Sequence, residues 1–146
     1  MPSRHIIKEF SADEYYHIYN RGVEKRDIFR DQQDYRVFLS YLSTYLSVKD
    51  EKSLHLRLAD KEIPWSEKDK ILKILRLNNF FETISLLSYC LMPNHFHFLL
   101  KQKEERTIDQ FMQSLCTRYS MYVNRRYKRV GSLFQGIYKA VRVDSD

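Results

Sequence analysis

Glycine and proline are scarce, three of each among 146 residues, and no Pro/Gly-rich linker, internal repeat or low-complexity tract divides the chain. A second domain has little support, so residues 1–146 read as one domain. Cysteine is scarcer still. Cys90 and Cys116 match no zinc-ligand spacing and lie in apolar patterns, which predicts buried, reduced thiols. No apolar run approaches the length of a membrane span, and the opening Met1-Pro2-Ser3-Arg4-His5 leads into no signal-peptide core. The expectation is a cytoplasmic protein with no membrane partner.

What is present excludes wholesale disorder, since 43% of the residues are hydrophobic and 14% aromatic. The net charge of +6 is regional. Lys101 to Arg142 holds ten Lys or Arg against three Asp or Glu, a surplus larger than that of the whole chain. Such a segment suits a phosphate-rich partner, and Tyr119, Tyr122, Tyr127, Phe134 and Tyr138, interleaved with it, suit stacking on unpaired bases. Charge alone leaves a second reading open, a solvated basic helix face over core aromatics.

Patterning predicts alternating strands and helices. Tyr15 to Arg21 reads as a strand with Gly22 as its break. Asp31 to Leu46 carries apolar residues at helical spacing, with Asp31 as N-cap. Lys49 to Phe80 is strongly charged and reads as an insertion with one small helix, capped at Ser66-Glu67-Lys68-Asp69. Thr83 to Met92 reads as a strand buried in the sheet, joined through a tight Pro93-Asn94 turn to a strand over His95 to Lys101. Thr107 and Gln110 form a capping-box signature for a long helix that ends near Arg126 to Val130, with Gly131 as its break. Tyr138 to Val143 reads as the last strand. This order fits an α+β, ferredoxin-like antiparallel sheet with two main helices on one face and a charged helical insertion.

Within the strand after the turn, side chains alternate, so His95, His97 and Leu99 share one face while Phe96, Phe98 and Leu100 share the other. Two neutral imidazoles side by side can converge on one divalent cation. The pair by itself also fits a solvated sheet face.

Three segments carry a resemblance to a known family: Tyr16-His17-Ile18-Tyr19-Asn20-Arg21-Gly22, Leu91-Met92-Pro93-Asn94-His95-Phe96-His97-Phe98-Leu99-Leu100, and Gly131-Ser132-Leu133-Phe134-Gln135-Gly136-Ile137-Tyr138-Lys139-Ala140. In this order they are similar to the single-tyrosine HUH transposases, specifically the REP-associated branch, across nearly the whole chain apart from residues 49–80. The resemblance implies cleavage and rejoining of single-stranded DNA near a hairpin. It implies that His95 and His97 bind Mg²⁺ or Mn²⁺, which polarises the scissile phosphate while a tyrosine hydroxyl attacks. Imidazole suits Mn²⁺ better than the harder Mg²⁺. The family includes homodimers that exchange the tyrosine helix and monomers, and both remain open here.

In the family the nucleophile lies on a helix after the last strand, in a Tyr-x-x-x-Asn setting followed by Pro. No such segment stands before Asp146, so the expectation is a member that lacks the C-terminal tyrosine helix, with a non-catalytic hairpin-DNA-binding module as the alternative function. Among tyrosines inside the chain, Tyr119 and Tyr122 belong to the apolar stripe. Tyr127 and Tyr138 sit in basic surroundings that favour stacking or phosphate contact, and neither is assigned as nucleophile. The expected DNA contacts are Arg125, Arg126, Lys128 and Arg129 at the end of the long helix and Lys139 and Arg142 on the last strand, gathered at one end of the domain. Asn20 and Arg21 join them through the motif match, and Gln135 as polar support.

Overall fold

The computed structural model describes residues 10–144. Four strands form one antiparallel sheet: β1 (Tyr15–Arg21), β2 (Ile84–Met92), β3 (His95–Gln102) and β4 (Lys139–Val143), in the order β2-β3-β1-β4. Because β3 lies between β1 and β2, the crossover from β1 to β2 is a split βαβ unit, as the ferredoxin-like order requires. Among the described residues, four α-helices complete the α+β fold: α1 (Gln32–Leu46), α2 (Glu51–Ala59), α3 (Trp65–Arg76) and α4 (Thr107–Tyr127). No helix among the described residues is long and apolar enough to cross a membrane.

Alternation in β1 and β3 sorts the sheet into two faces. Tyr16, Ile18 and Asn20 of β1 and Phe96, Phe98 and Leu100 of β3 are buried, and the residues between them are less so. The buried face is covered by α1 and α4. Phe38 of α1 packs 5.8 Å from Phe96 and 6.0 Å from Phe98, and Tyr119 of α4 meets Phe38 edge-on at 5.0 Å, all between ring centres. The opposite face carries His17, Tyr19, His95 and His97.

Several local expectations need correction. β2 is not buried in the sheet but lies at its edge, where Leu87, Tyr89 and Met92 are exposed, and its ladder slips between Leu86 and Ser88. A continuous apolar run does not distinguish a central strand from an edge strand. Cys90, on this edge, is therefore exposed rather than buried, and Cys116 is only partly buried. Residues 49–80 hold two helices instead of one. α2 buries no residue, so it leaves no apolar stripe to detect, and α3 starts at Trp65 after Pro64 with no side-chain cap.

The start of α4 also differs. Thr107 and Gln110 form no capping box, because the residue before the helix is Arg106 in the left-handed region at φ 65°. The buried Gln102 substitutes. Its Oε1 accepts from the Ile108 N–H at 3.1 Å, and its Nε2 donates to the Ser11 carbonyl at 3.1 Å. At the other end α4 stops at Tyr127, within the expected range, where Lys128 takes the left-handed cap position at φ 50°, and Gly131, three residues on, is also at positive φ, 92°. Asp31 does cap α1, accepting from the Asp34 N–H at 3.1 Å.

One turn positions the histidine strand. Pro93 O accepts from the Ile28 N–H at 2.7 Å and the Phe29 N–H at 3.0 Å, while Asn94 O accepts from the Gly22 N–H at 2.9 Å. The β2–β3 turn is thereby pinned to the segment after β1. Gly22 is required there by space, since a Cβ would stand 2.1 Å from the Arg26 carbonyl oxygen.

Candidate functional site

Register brings the site together. Tyr19 of β1 stands opposite His97 on one side and Lys139 of β4 on the other, and Arg21 stands opposite His95. These side chains share the open face and, with Asn20, Lys25 and Asn94, line a cleft of about 520 Å³. A larger cleft, about 810 Å³, lies between α4 and the 132–138 segment and holds neither histidine.

His97 Nδ1 lies 2.8 Å from His17 Nε2, and His95 Nδ1 lies 2.7 Å from Asn94 Oδ1. Rings of Tyr19, His17 and His97 stack, with His17 centred 4.9 Å from Tyr19 and 5.1 Å from His97. Partial burial, reinforced by His17 and His95, holds the His97 imidazole below its ordinary pKa, which favours the neutral, ligating form. Among the described residues, no group of three or more His, Cys, Asp or Glu is placed to hold a metal ion. The histidine pair can supply two nitrogen ligands, and the remaining positions would fall to water or substrate oxygens.

Around the pair the cleft is cationic. Arg21 Nε donates to Gln135 Oε1 at 2.8 Å, and the Gln135 N–H donates to the Arg21 carbonyl at 2.9 Å, so Gln135 holds Arg21 from both ends. Asn20 is buried beneath; its Oδ1 accepts from the Arg21 N–H at 2.9 Å, and its Nδ2 donates to Gly136 O at 3.2 Å. Lys25 and Lys139 add two ammonium groups.

The other expected DNA contacts do not gather with this cleft. Lys139 and Arg142 lie three apart on β4, opposite Tyr19 and Tyr16 respectively, and so belong to opposite faces of the sheet. Arg142, exposed, pairs with Glu14 at 3.0 Å and Asp144 at 3.6 Å. Arg125 and Lys128 are exposed in the helical layer. Arg126 is committed internally, to Asp31 and Asp34 at 2.6 Å each. Arg129 likewise ties the end of α4 to the next segment, donating to Asn124 Oδ1 at 2.6 Å and Ser132 O at 3.0 Å. None of these arginines lines the histidine cleft.

Tyr127 does sit in basic surroundings, with the Arg30 guanidinium 4.1 Å and the Arg126 guanidinium 5.0 Å from its ring centre, but its hydroxyl is engaged, whereas Tyr138 is not in basic surroundings and meets a carboxylate. The Tyr127 hydroxyl donates to Asp34 Oδ2 at 2.6 Å, and burial together with that carboxylate pushes its pKa up to about 12. Tyr138 is buried, with its hydroxyl bonded to Asp109, and burial raises its pKa well above the ordinary phenol value. Both effects oppose formation of an attacking phenolate.

His17, Tyr19, Lys25 and Asn94 received no role from sequence reasoning. The alternation of Tyr15, His17 and Tyr19 was a usable signal for one strand face. Which residues that face meets depends on pairing with β3, 80 residues away in the His17–His97 contact.

The open sheet face thus presents paired imidazoles among basic side chains, a set of groups chemically complementary to a phosphate. The family profile described as "Transposase IS200 like" matches residues 64–146, more than half of the sequence, and the chain belongs to that family. A crystal structure of a candidate transposase from Deinococcus radiodurans R1 is similar in fold, with TM-score 0.53, 12% identity, and coverage of 94% of this chain and 85% of that one. No curated protein matches the chain.

Proposed function

We propose that the chain serves in DNA transposition by binding single-stranded or hairpin DNA across the open sheet face, where His95 and His97 hold Mg²⁺ or Mn²⁺ against the phosphate to be cleaved. The observation that carries this reading is the meeting of two partly buried histidines with Arg21, Lys25 and Lys139 in one cleft. Three cations disfavour a bare metal ion but favour a phosphate, and a bound phosphate in turn supplies oxygens to complete the metal's coordination. The metal, when bound, would polarise the phosphoryl oxygens for attack by a tyrosine and strand transfer. Arg21 and Lys139 orient the backbone. The three-motif similarity supports the REP-associated branch.

The nucleophile is neither Tyr127 nor Tyr138, because Asp34 and Asp109 hold their hydroxyls. Incubation with hairpin-flanked single-stranded DNA and Mn²⁺, read on a denaturing gel and by peptide mapping, tests this. Any covalent adduct is expected to map away from Tyr127 and Tyr138 and to vanish in His95→Ala. Mn²⁺ is expected to tighten binding of the strand in the parent chain and not in the His95→Ala/His97→Ala double variant. Metal-independent binding in both, or an adduct on Tyr127 or Tyr138, would contradict the proposal.

A further inference from the structure

Two hydrogen bonds bear on which nitrogen each histidine turns to the cleft. Asn94 Nδ2 donates to the Lys25 carbonyl at 3.5 Å, which leaves Oδ1 facing His95 Nδ1 at 2.7 Å. An amide oxygen only accepts, so His95 carries its proton on Nδ1 and its lone pair on Nε2. The contact of His97 Nδ1 with His17 Nε2 at 2.8 Å is different in kind, because one neutral ring must donate and the other accept.

The surroundings decide the direction. His97 lines the cleft and His17 does not, so the Nδ1 edge of His97 is turned to its neighbour on β1 and the Nε2 edge is left for the cleft. Arg21, Lys25 and Lys139 supply that cleft with donors. An Nε2–H would add one more donor among them, whereas a lone pair complements them.

We infer that His17 is a positioning residue: it accepts the Nδ1–H of His97 as Asn94 accepts that of His95, and both imidazoles are held in the tautomer whose Nε2 lone pair faces the cleft. The use of this arrangement rests on the metal reading above, since a ring protonated at Nε2 cannot ligate a cation through the nitrogen that faces the cleft. Ligating histidines pass their other N–H to an acceptor, and loss of that acceptor typically costs about ten- to a hundredfold in metal affinity.

Long-range proton–nitrogen NMR of the isotope-labelled, metal-free chain, at a pH where the rings are neutral, reads both tautomers directly. His95 and His97 are expected as Nδ1–H. In His17→Phe, His97 is expected to shift toward Nε2–H, while His17→Gln, which returns an acceptor oxygen, keeps Nδ1–H. Nε2–H at His97 in the parent chain overturns the proposal, and that reading stands even if a variant fails to fold. Mn²⁺ titration of the same samples is expected to show about tenfold or greater weakening in His17→Phe and recovery in His17→Gln. Equal affinities in parent and His17→Phe overturn the positioning role. Nδ1–H tautomers in a chain that binds no Mn²⁺ uphold the hydrogen-bond assignment and refute the metal reading instead.

Discussion

Arg126 shows at the scale of single residues how a cation in a basic segment can serve the fold rather than a ligand. It joins α4 to the start of α1 through Asp31 and the fully buried Asp34, and Asp34 also accepts from Tyr122, Tyr127 and the Arg30 N–H. Burial alone would raise the Asp34 pKa, but those donors outweigh it and the net direction is down. Replacing Asp34 with Ala removes the buried acceptor shared by two tyrosine hydroxyls, the Arg30 N–H and the half-buried Arg126 guanidinium, which keeps Asp31. The expected loss is about 1–3 kcal/mol, from the buried donors left without an acceptor, measured by urea denaturation. The Arg126 guanidinium beside Asp31 holds that carboxyl at about 2, below its ordinary 3.8. A lowered carboxylate pKa stabilises the fold above the ordinary value and ceases to do so as pH falls through the lowered one. Stability is therefore expected to decline between about pH 4 and pH 2, with a shallower decline in Arg126→Gln. Parallel pH profiles for the two proteins would refute this.

At the scale of elements, what the sequence makes legible depends on whether the signal is local. β1, β3 and α1 follow from alternation or helical spacing, and their ends fall within a residue of expectation. The His95–His97 pair is legible for the same reason. α2 is not, because it buries nothing, and the edge position of β2 is set by pairing rather than by composition. The α4 cap is not legible, because a Thr–Gln pair stands at capping-box spacing while the residue that caps is Gln102, whose reach to Ile108 depends on the chain turning between β3 and α4. Gln102→Leu is expected to destabilise the fold by about 1–3 kcal/mol, because a buried N–H loses its partner. Gln110→Ala, at an exposed position, is expected to stay within about 0.5 kcal/mol. Thermal or urea unfolding of the two variants separates a Gln102 cap from a capping box.

At the scale of the whole molecule, the sheet divides labour between its faces. One face is sealed by α1 and α4; the other joins β1, β3 and β4 into the histidine cleft. The family match begins at residue 64, so it covers the histidine strand and β4, whereas the β1 wall with His17, Tyr19 and Arg21 comes from outside it. Arg21 of that wall is legible through its motif, but the parts played by His17 and Tyr19 are not, since they exist only after the strands pair. Lys139→Ala and Arg21→Ala are each expected to weaken single-strand binding and lower the salt slope by about one. Arg126→Ala is expected to cost stability and leave the slope unchanged, because Asp31 and Asp34 already neutralise it. Fluorescence titrations over a range of salt concentrations distinguish these outcomes.

The most direct test is the affinity of the chain for Mn²⁺, measured by paramagnetic resonance with and without a hairpin-flanked single strand. Joint occupancy of the cleft by metal and phosphate requires the DNA to tighten Mn²⁺ binding, by about tenfold or more, and requires His97→Ala to abolish that gain. An Mn²⁺ affinity indifferent to DNA, or a gain that survives His97→Ala, would mean that this cleft is not where metal and strand meet.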